Sequence, residues 1–196
     1  LKGQSNSPIA YSDGCIYVGF WNDETRSARF VCISVADEDP AKTTEAKAAL
    51  WAHTQLGGFY WAGAYVCDEF VLIDTDDGES GYTDGHARIV SLNPASGSVI
   101  GSITLPHPGD ARSSVTFVPD DENGTNPSGT AYFTTKGGYF YAVHVEADGS
   151  FTEVYNPKFC GGVGGRRYFA ENNAYIYDFA AQHDMDGLME LMGGRE

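Results

Sequence analysis

At 196 residues and 21.1 kDa, with 42 % hydrophobic and 20 % charged residues, the chain can bury a core as one large domain or two small ones. Twelve Lys and Arg against 27 Asp and Glu leave a net charge of −15, a surface that repels phosphate backbones and anionic head groups, which argues against nucleic-acid and membrane-surface roles. No apolar run approaches the roughly 18 to 20 residues of a bilayer span, so no membrane insertion is expected, and no basic-then-apolar export signal follows Leu1, where a signal has either been removed or left out.

Twenty-four Gly, 12 Tyr, 11 Phe and 3 Trp indicate an all-β chain, because aromatics suit a pleated, half-buried surface and glycines serve frequent turns. In chain order, residues 8–11 and 15–20 form two strands about Asp13-Gly14, a pair that tolerates the positive φ of a tight hairpin. A third strand at 30–35 follows. Residues 40–51 (PAKTTEAKAALW) predict two or three helical turns opening near Asp39 or Pro40, overlapping a fourth strand at 49–55. The order then repeats. Strands at 61–66 and 70–74 flank Asp68-Glu69, with further strands at 88–92 and 99–105. Strands at 113–118 and 130–135 flank a long loop, with others at 139–143 and 151–155. A last pair, 166–170 and 174–179, flanks Asn172-Asn173. The tail at 180–196 is helical or disordered; Met185, Leu188, Met189 and Met192 fall at helical spacing and suit a packing face.

Aligning Ser34, Ser91 and Ala142 within the third strands gives steps of 57 and 51 residues. Four antiparallel strands repeated near 50 residues are the signature of a β-propeller, whereas a sandwich need not repeat its motif order. The expected organisation is a partial propeller over 1–179, with blades near 7–56, 57–107 and 108–160 and half a blade at 161–179. Closed propellers have about four to eight blades. Three and a half therefore imply either a longer parent that supplies the remaining blades or self-association through open faces and an unpaired edge.

The segment Ala87-Arg88-Ile89-Val90-Ser91-Leu92-Asn93-Pro94-Ala95-Ser96-Gly97-Ser98-Val99-Ile100 resembles the repeat of quinoprotein-type (pyrroloquinoline-quinone-like) β-propellers, Tyr-Ala-Leu-Asp-Ala-x-Thr-Gly-x-x-x-Trp. Ser91 stands in the Ala place, Asn93 in the Asp place and Ser96 in the Thr place, while Leu50-Trp51 matches the tryptophan end in the first unit. The resemblance spans roughly 7–178. It implies fold more strongly than chemistry. Its enzymatic implication is a fragment of a quinone-dependent dehydrogenase or another propeller enzyme. Such dehydrogenases carry adjacent cysteines near the quinone, a tryptophan floor, and a closed ring around the cofactor and its calcium. No two cysteines are adjacent here, so no quinone is expected.

Few residues suggest chemistry. The run Asp74-Thr75-Asp76-Asp77-Gly78-Glu79 clusters carboxylates, and Asp74, Asp76 and Asp77 are the candidate calcium ligands, although glycine falls fifth and no Glu stands twelfth, unlike an EF-hand. A solvated acidic loop is the plainer reading. Residues 160–165 lack the Lys-Ser/Thr of a P-loop, the five histidines show no metal spacing, and no Gly-x-Ser-x-Gly elbow exists. Cys15, Cys32, Cys67 and Cys160 form no CxxC pair, leaving buried thiols or a disulfide of open connectivity. Trp21, Tyr60 and Trp61, with Phe59, lie near strand ends as candidate partner-binding aromatics or as padding between blades. The resulting expectation is a non-catalytic, extracytoplasmic (secreted, periplasmic or cell-surface) module that binds a protein or glycan.

Overall fold

The computed structural model describes residues 5–22, 27–59, 61–76, 85–121 and 127–154. The chain divides into two compact units, 1–154 and 155–196, and the second lies outside the described residues, as do the half-blade at 161–179 and the tail. Among the described residues every regular element is a strand.

The strands form three four-stranded antiparallel meanders. Blade 1 holds β1 (Ala10–Ser12), β2 (Cys15–Asn22), β3 (Ser27–Ser34) and β4 (Trp51–Leu56). Blade 2 holds β5 (Tyr65–Val66), β6 (Val71–Asp76), β7 (His86–Leu92) and β8 (Val99–Pro108). Blade 3 holds β9 (Thr116–Pro119), β10 (Gly129–Thr134), β11 (Phe140–Val145) and β12 (Phe151–Val154). First strand lies against first strand (β1 on β5) and last against last (β8 on β12). The sheets thus stack face to face in matching order, as propeller blades do, with no Greek-key crossing. The three blades do not close into a ring.

Burial follows from that stacking. Blade 2 is covered on both faces, so Val71 to Thr75 of β6 are all buried, the polar Asp74 and Thr75 included. Outer strand β4 alternates instead, with Trp51 buried and Ala52 exposed. One core lies between blades 1 and 2, built on Tyr17, Phe30, Trp51, Phe59, Val71, Ile73, Val90 and Leu92. A second joins blades 2 and 3 through Phe70, Leu72, Ile89, Leu105, Phe133, Val143 and Val145. Each large apolar side chain buried there contributes roughly 1.5–3 kcal/mol.

Two expectations are corrected. Residues 40–51 form no helix: a turn in which Lys42 N–H donates to Asp39 O (2.9 Å) leads into a loop, and Trp51 opens β4. Of the two roles open to Phe59 it takes the padding one, fully buried between blades 1 and 2. The third-strand alignment also shifts by two residues in two blades. The Asp13-Gly14 and Asp68-Glu69 turns place Cys15 level with Phe70, and pairing from there makes Cys32 equivalent to Ser91. Gly97 and Gly149, both at positive φ in the turn after the third strand, likewise make His144 equivalent to Ser91. The in-register set is therefore Cys32, Ser91 and His144, all buried.

Candidate functional site

Two kinds of rim follow from the meander. One carries the crossings between blades (57–64 and 109–115) and the joints between second and third strands; we call it the crossing rim. The opposite rim carries the turns at 13–14, 68–69 and 93–98. Because β2 and β6 both run toward the crossing rim, Trp21 near the end of one and Asp74 and Asp76 at the end of the other arrive there, beside Trp61 in the first crossing. Asp77 and Tyr60 lie outside the described residues.

Asp76 is held by backbone. Ala111 N–H donates to its Oδ1 at 3.0 Å, and its own N–H donates to Gly58 O at 3.2 Å. A Cβ on Gly58 would lie 3.0 Å from Asp76 Oδ2 and 3.4 Å from the Trp21 indole, so the carboxylate and the ring flank one bare stretch of backbone. Beneath them, Gln55 Nε2 donates to Thr75 Oγ1 (2.8 Å), which donates to Gly58 O (2.7 Å). This row ties the end of β4 to the end of β6.

The second crossing supplies the rest. Asp110, nearly buried, accepts from Arg112 Nη2 at 3.1 Å, while the Arg112 guanidinium carbon lies 5.3 Å from the Trp61 ring centre. Trp61 remains 41 % exposed, so one side of the indole meets a cation while part of it faces solvent. Asp110 and Arg112 were not singled out from the sequence; only their position between two repeats marks them.

Asp74 behaves differently from Asp76. It points to the same side of β6, but it is fully buried, and among the described residues no other residue hydrogen-bonds to its carboxylate oxygens. Burial, with the Asp76 charge adding to it, pushes its carboxyl well above the usual range of 3.8, so the neutral acid is favoured. A carboxyl sealed from solvent cannot meet a substrate, so Asp74 and Asp76 do not form an acid–base pair for hydrolysis. Among the described residues no three His, Cys, Asp or Glu side chains converge as a metal site. The rim can thus present an indole face, a carboxylate and a guanidinium, which suits recognition of a polar ligand with one flat apolar side.

Comparison with known proteins gives three results. The family profile described as glycosyl hydrolase family 92 catalytic domain matches residues 130–196, about a third of the chain and mostly beyond the described residues. No curated protein matches the sequence. Among solved structures, the chain is similar to the quinohemoprotein alcohol dehydrogenase ADHIIG from Pseudomonas putida HK5 at 15 % identity and a TM-score of 0.46, covering 76 % of this chain and 26 % of that one. It is also similar to BamB from Moraxella catarrhalis at 15 % identity and a TM-score of 0.27, covering 76 % of this chain and 52 % of that one. The chain therefore spans about a quarter and about half of those proteins. The propeller assignment rests on its own sheet order, not on these likenesses. Among the described residues no helix is long and apolar enough to cross a membrane.

Proposed function

We propose that the chain is a non-catalytic, extracytoplasmic propeller module that binds a glycan or protein partner on the crossing rim. The observation that carries this reading is the placement of Trp61 against Arg112, beside a crossing that also positions Asp76 and Trp21. A half-exposed indole backed by a guanidinium offers a rigid stacking face at small entropic cost, and the flanking carboxylate can accept hydroxyl or amide donors. A glycan suits this pattern better than a flat protein face, since the exposed area is small. Calcium would use Asp76 with Asp77 rather than the sealed Asp74.

The test is binding to a panel of immobilised glycans, with Trp61→Ala as the control. At least a tenfold loss for Trp61→Ala with unchanged thermal melting supports the reading; unchanged binding overturns it. A second reading, supported by the hydrolase-family match over 130–196, is that the chain belongs to a glycoside-cleaving enzyme. Release of chromophore from aryl glycosides, undiminished in Trp61→Ala, would favour that alternative. A dehydrogenase fragment predicts instead dye reduction after loading with pyrroloquinoline quinone and calcium.

A further inference from the structure

On the opposite rim, between blades 1 and 2, lies a cavity of about 400 Å³. Cys15, Tyr17, Cys32 and Trp51 form its blade 1 wall, and Cys67 and Pro94 stand on the blade 2 side. Three of the four cysteines of the chain thus border one space. The register explains why. Cys15 pairs with Ser34 and Tyr17 with Cys32, so Cys15 and Cys32 lie diagonally on the same face of adjacent strands. Cys15 and Tyr17 both lie close enough to Cys32 to bear on the ionisation of its thiol.

The two thiols differ in access. Cys15 is half-buried at the first position of β2, next to the Asp13-Gly14 turn, whereas Cys32 is buried between Tyr17 and Trp51. Cys67 stands apart: its thiol donates to Phe70 O at 3.4 Å and it packs on the core between blades 2 and 3. The cavity is within the size range of small-molecule sites, and exposed Asp13 and Asp68 border it.

We propose that this cavity is a thiol–disulfide exchange site, in which Cys15 and Cys32 are oxidised to a cross-strand disulfide by a small, preferably cationic, disulfide. The Cys15 thiolate attacks one sulfur of the incoming disulfide, forming a mixed disulfide and releasing the first small thiol. Cys32, deprotonated, then attacks Cys15 Sγ and expels the second small thiol. The two cysteine protons end on the two released thiols, and the incoming disulfide is the species reduced. Burial pushes the Cys32 thiol up to about 11, which makes the second step the slower one. Diagonal neighbours in a sheet start about 7–8 Å apart at Cα, slightly beyond the usual disulfide span. Closing the bridge thus requires the first residues of β2 to shift, and the adjoining turn leaves that strand end the freer one to move.

The experiment treats the Cys160→Ser chain with cystamine or with glutathione disulfide under native conditions, then maps disulfides by peptide mass spectrometry. The expected product joins Cys15 to Cys32, with Cys67 still alkylatable. Cys32→Ser should stop at a mixed disulfide on Cys15, and Cys15→Ser should react at least tenfold more slowly. Cystamine, a dication, should outpace anionic glutathione disulfide, and Asp13→Asn with Asp68→Asn should narrow that ratio more than Asp37→Asn does. A mixed disulfide that persists on wild-type Cys15, a link through Cys67, or a Cys15→Ser chain reacting at the parental rate overturns the proposal.

Discussion

The two seams between blades have the same geometry and are closed from opposite directions. Between blades 1 and 2, the first residue of β4 reaches forward: the Trp51 indole covers Gly97 and its Nε1 donates to Pro94 O at 2.7 Å. In the pairing row that holds Trp51 in blade 1, blade 2 has Gly101, which has no side chain to send forward. Blade 3 leans back instead. The Phe151 ring lies 3.1 Å from where a Cβ on Gly101 would stand, and Gly149 packs directly on Phe70 and Ser91. The first seam gains a directional hydrogen bond, while the second is purely steric at this level and also encloses the buried Asp74. A repeat therefore conserves the slot between blades more strictly than the residue that fills it.

Breaking the forward contact should have the largest effect. Trp51→Ala removes the indole and its hydrogen bond, and should cost about 3–5 kcal/mol in urea unfolding at pH 7. The cavity beside Cys32 should enlarge, so faster alkylation of Cys32 is the accompanying sign. Closing the second seam too tightly comes next. Gly149 has φ +83°, and an added Cβ would lie 2.7 Å from Phe70 Cβ and 2.8 Å from Ser91 Oγ. Gly149→Ala should thus cost about 1–3 kcal/mol by the same measurement.

Asp74 sharpens the comparison through pH. Its folded carboxyl holds its proton more tightly than the unfolded one, so its contribution to stability is fully present below the ordinary value of 3.8 and is lost as pH rises toward the raised folded value. Asp74→Asn should remove that slope. The variant should match the parent near pH 4 and melt at a higher temperature at pH 8; parallel melting curves across that range would refute the assignment. The smallest effect is expected outside both seams. Arg112→Lys keeps a cation beside the largely buried Asp110 but gives up the planar contact with Trp61, and should cost about 0.5–1 kcal/mol of stability. Its effect on ligand binding should exceed its effect on melting.

Strand order was legible because turn chemistry and alternation agree: Asp13-Gly14 and Ala95-Ser96-Gly97 each separate runs rich in aromatic and branched residues. The helix expected at 40–51 fails because its alanines and lysines have no apolar face to bury, while Trp51 is claimed by the slot over Gly97. The loop is organised instead by Lys47, which donates to Ala36 O and pairs with Glu45 at 3.0 Å. Ser34, Ser91 and Ala142 looked equivalent because small residues recur along strands; pairing partners alone separate them from Cys32 and His144. The strand expected at 70–74 stops at Asp74, the first residue of the acidic run, and nothing in the local sequence reveals that β6 continues to Asp76 or that Asp74 is sealed beneath a neighbouring blade. Trp21 and Trp61 were legible as strand-end aromatics, but Arg112 came to Trp61 through folding over a long sequence interval.

The forward reach of Trp51 also bears on how the chain is made. Its hydrogen-bond acceptor lies 43 residues later, so at its birth on the ribosome blade 1 has an outer strand whose leading residue has nothing to grip. Blade 1 can form its ladders early, yet its tryptophan stays uncovered until the third strand and following turn of blade 2 have emerged. At typical synthesis rates of about 5–20 residues per second, that interval lasts several seconds. Blade 1 therefore waits for blade 2 before its outer strand is sealed, a lag of about one repeat at the amino-terminal seam.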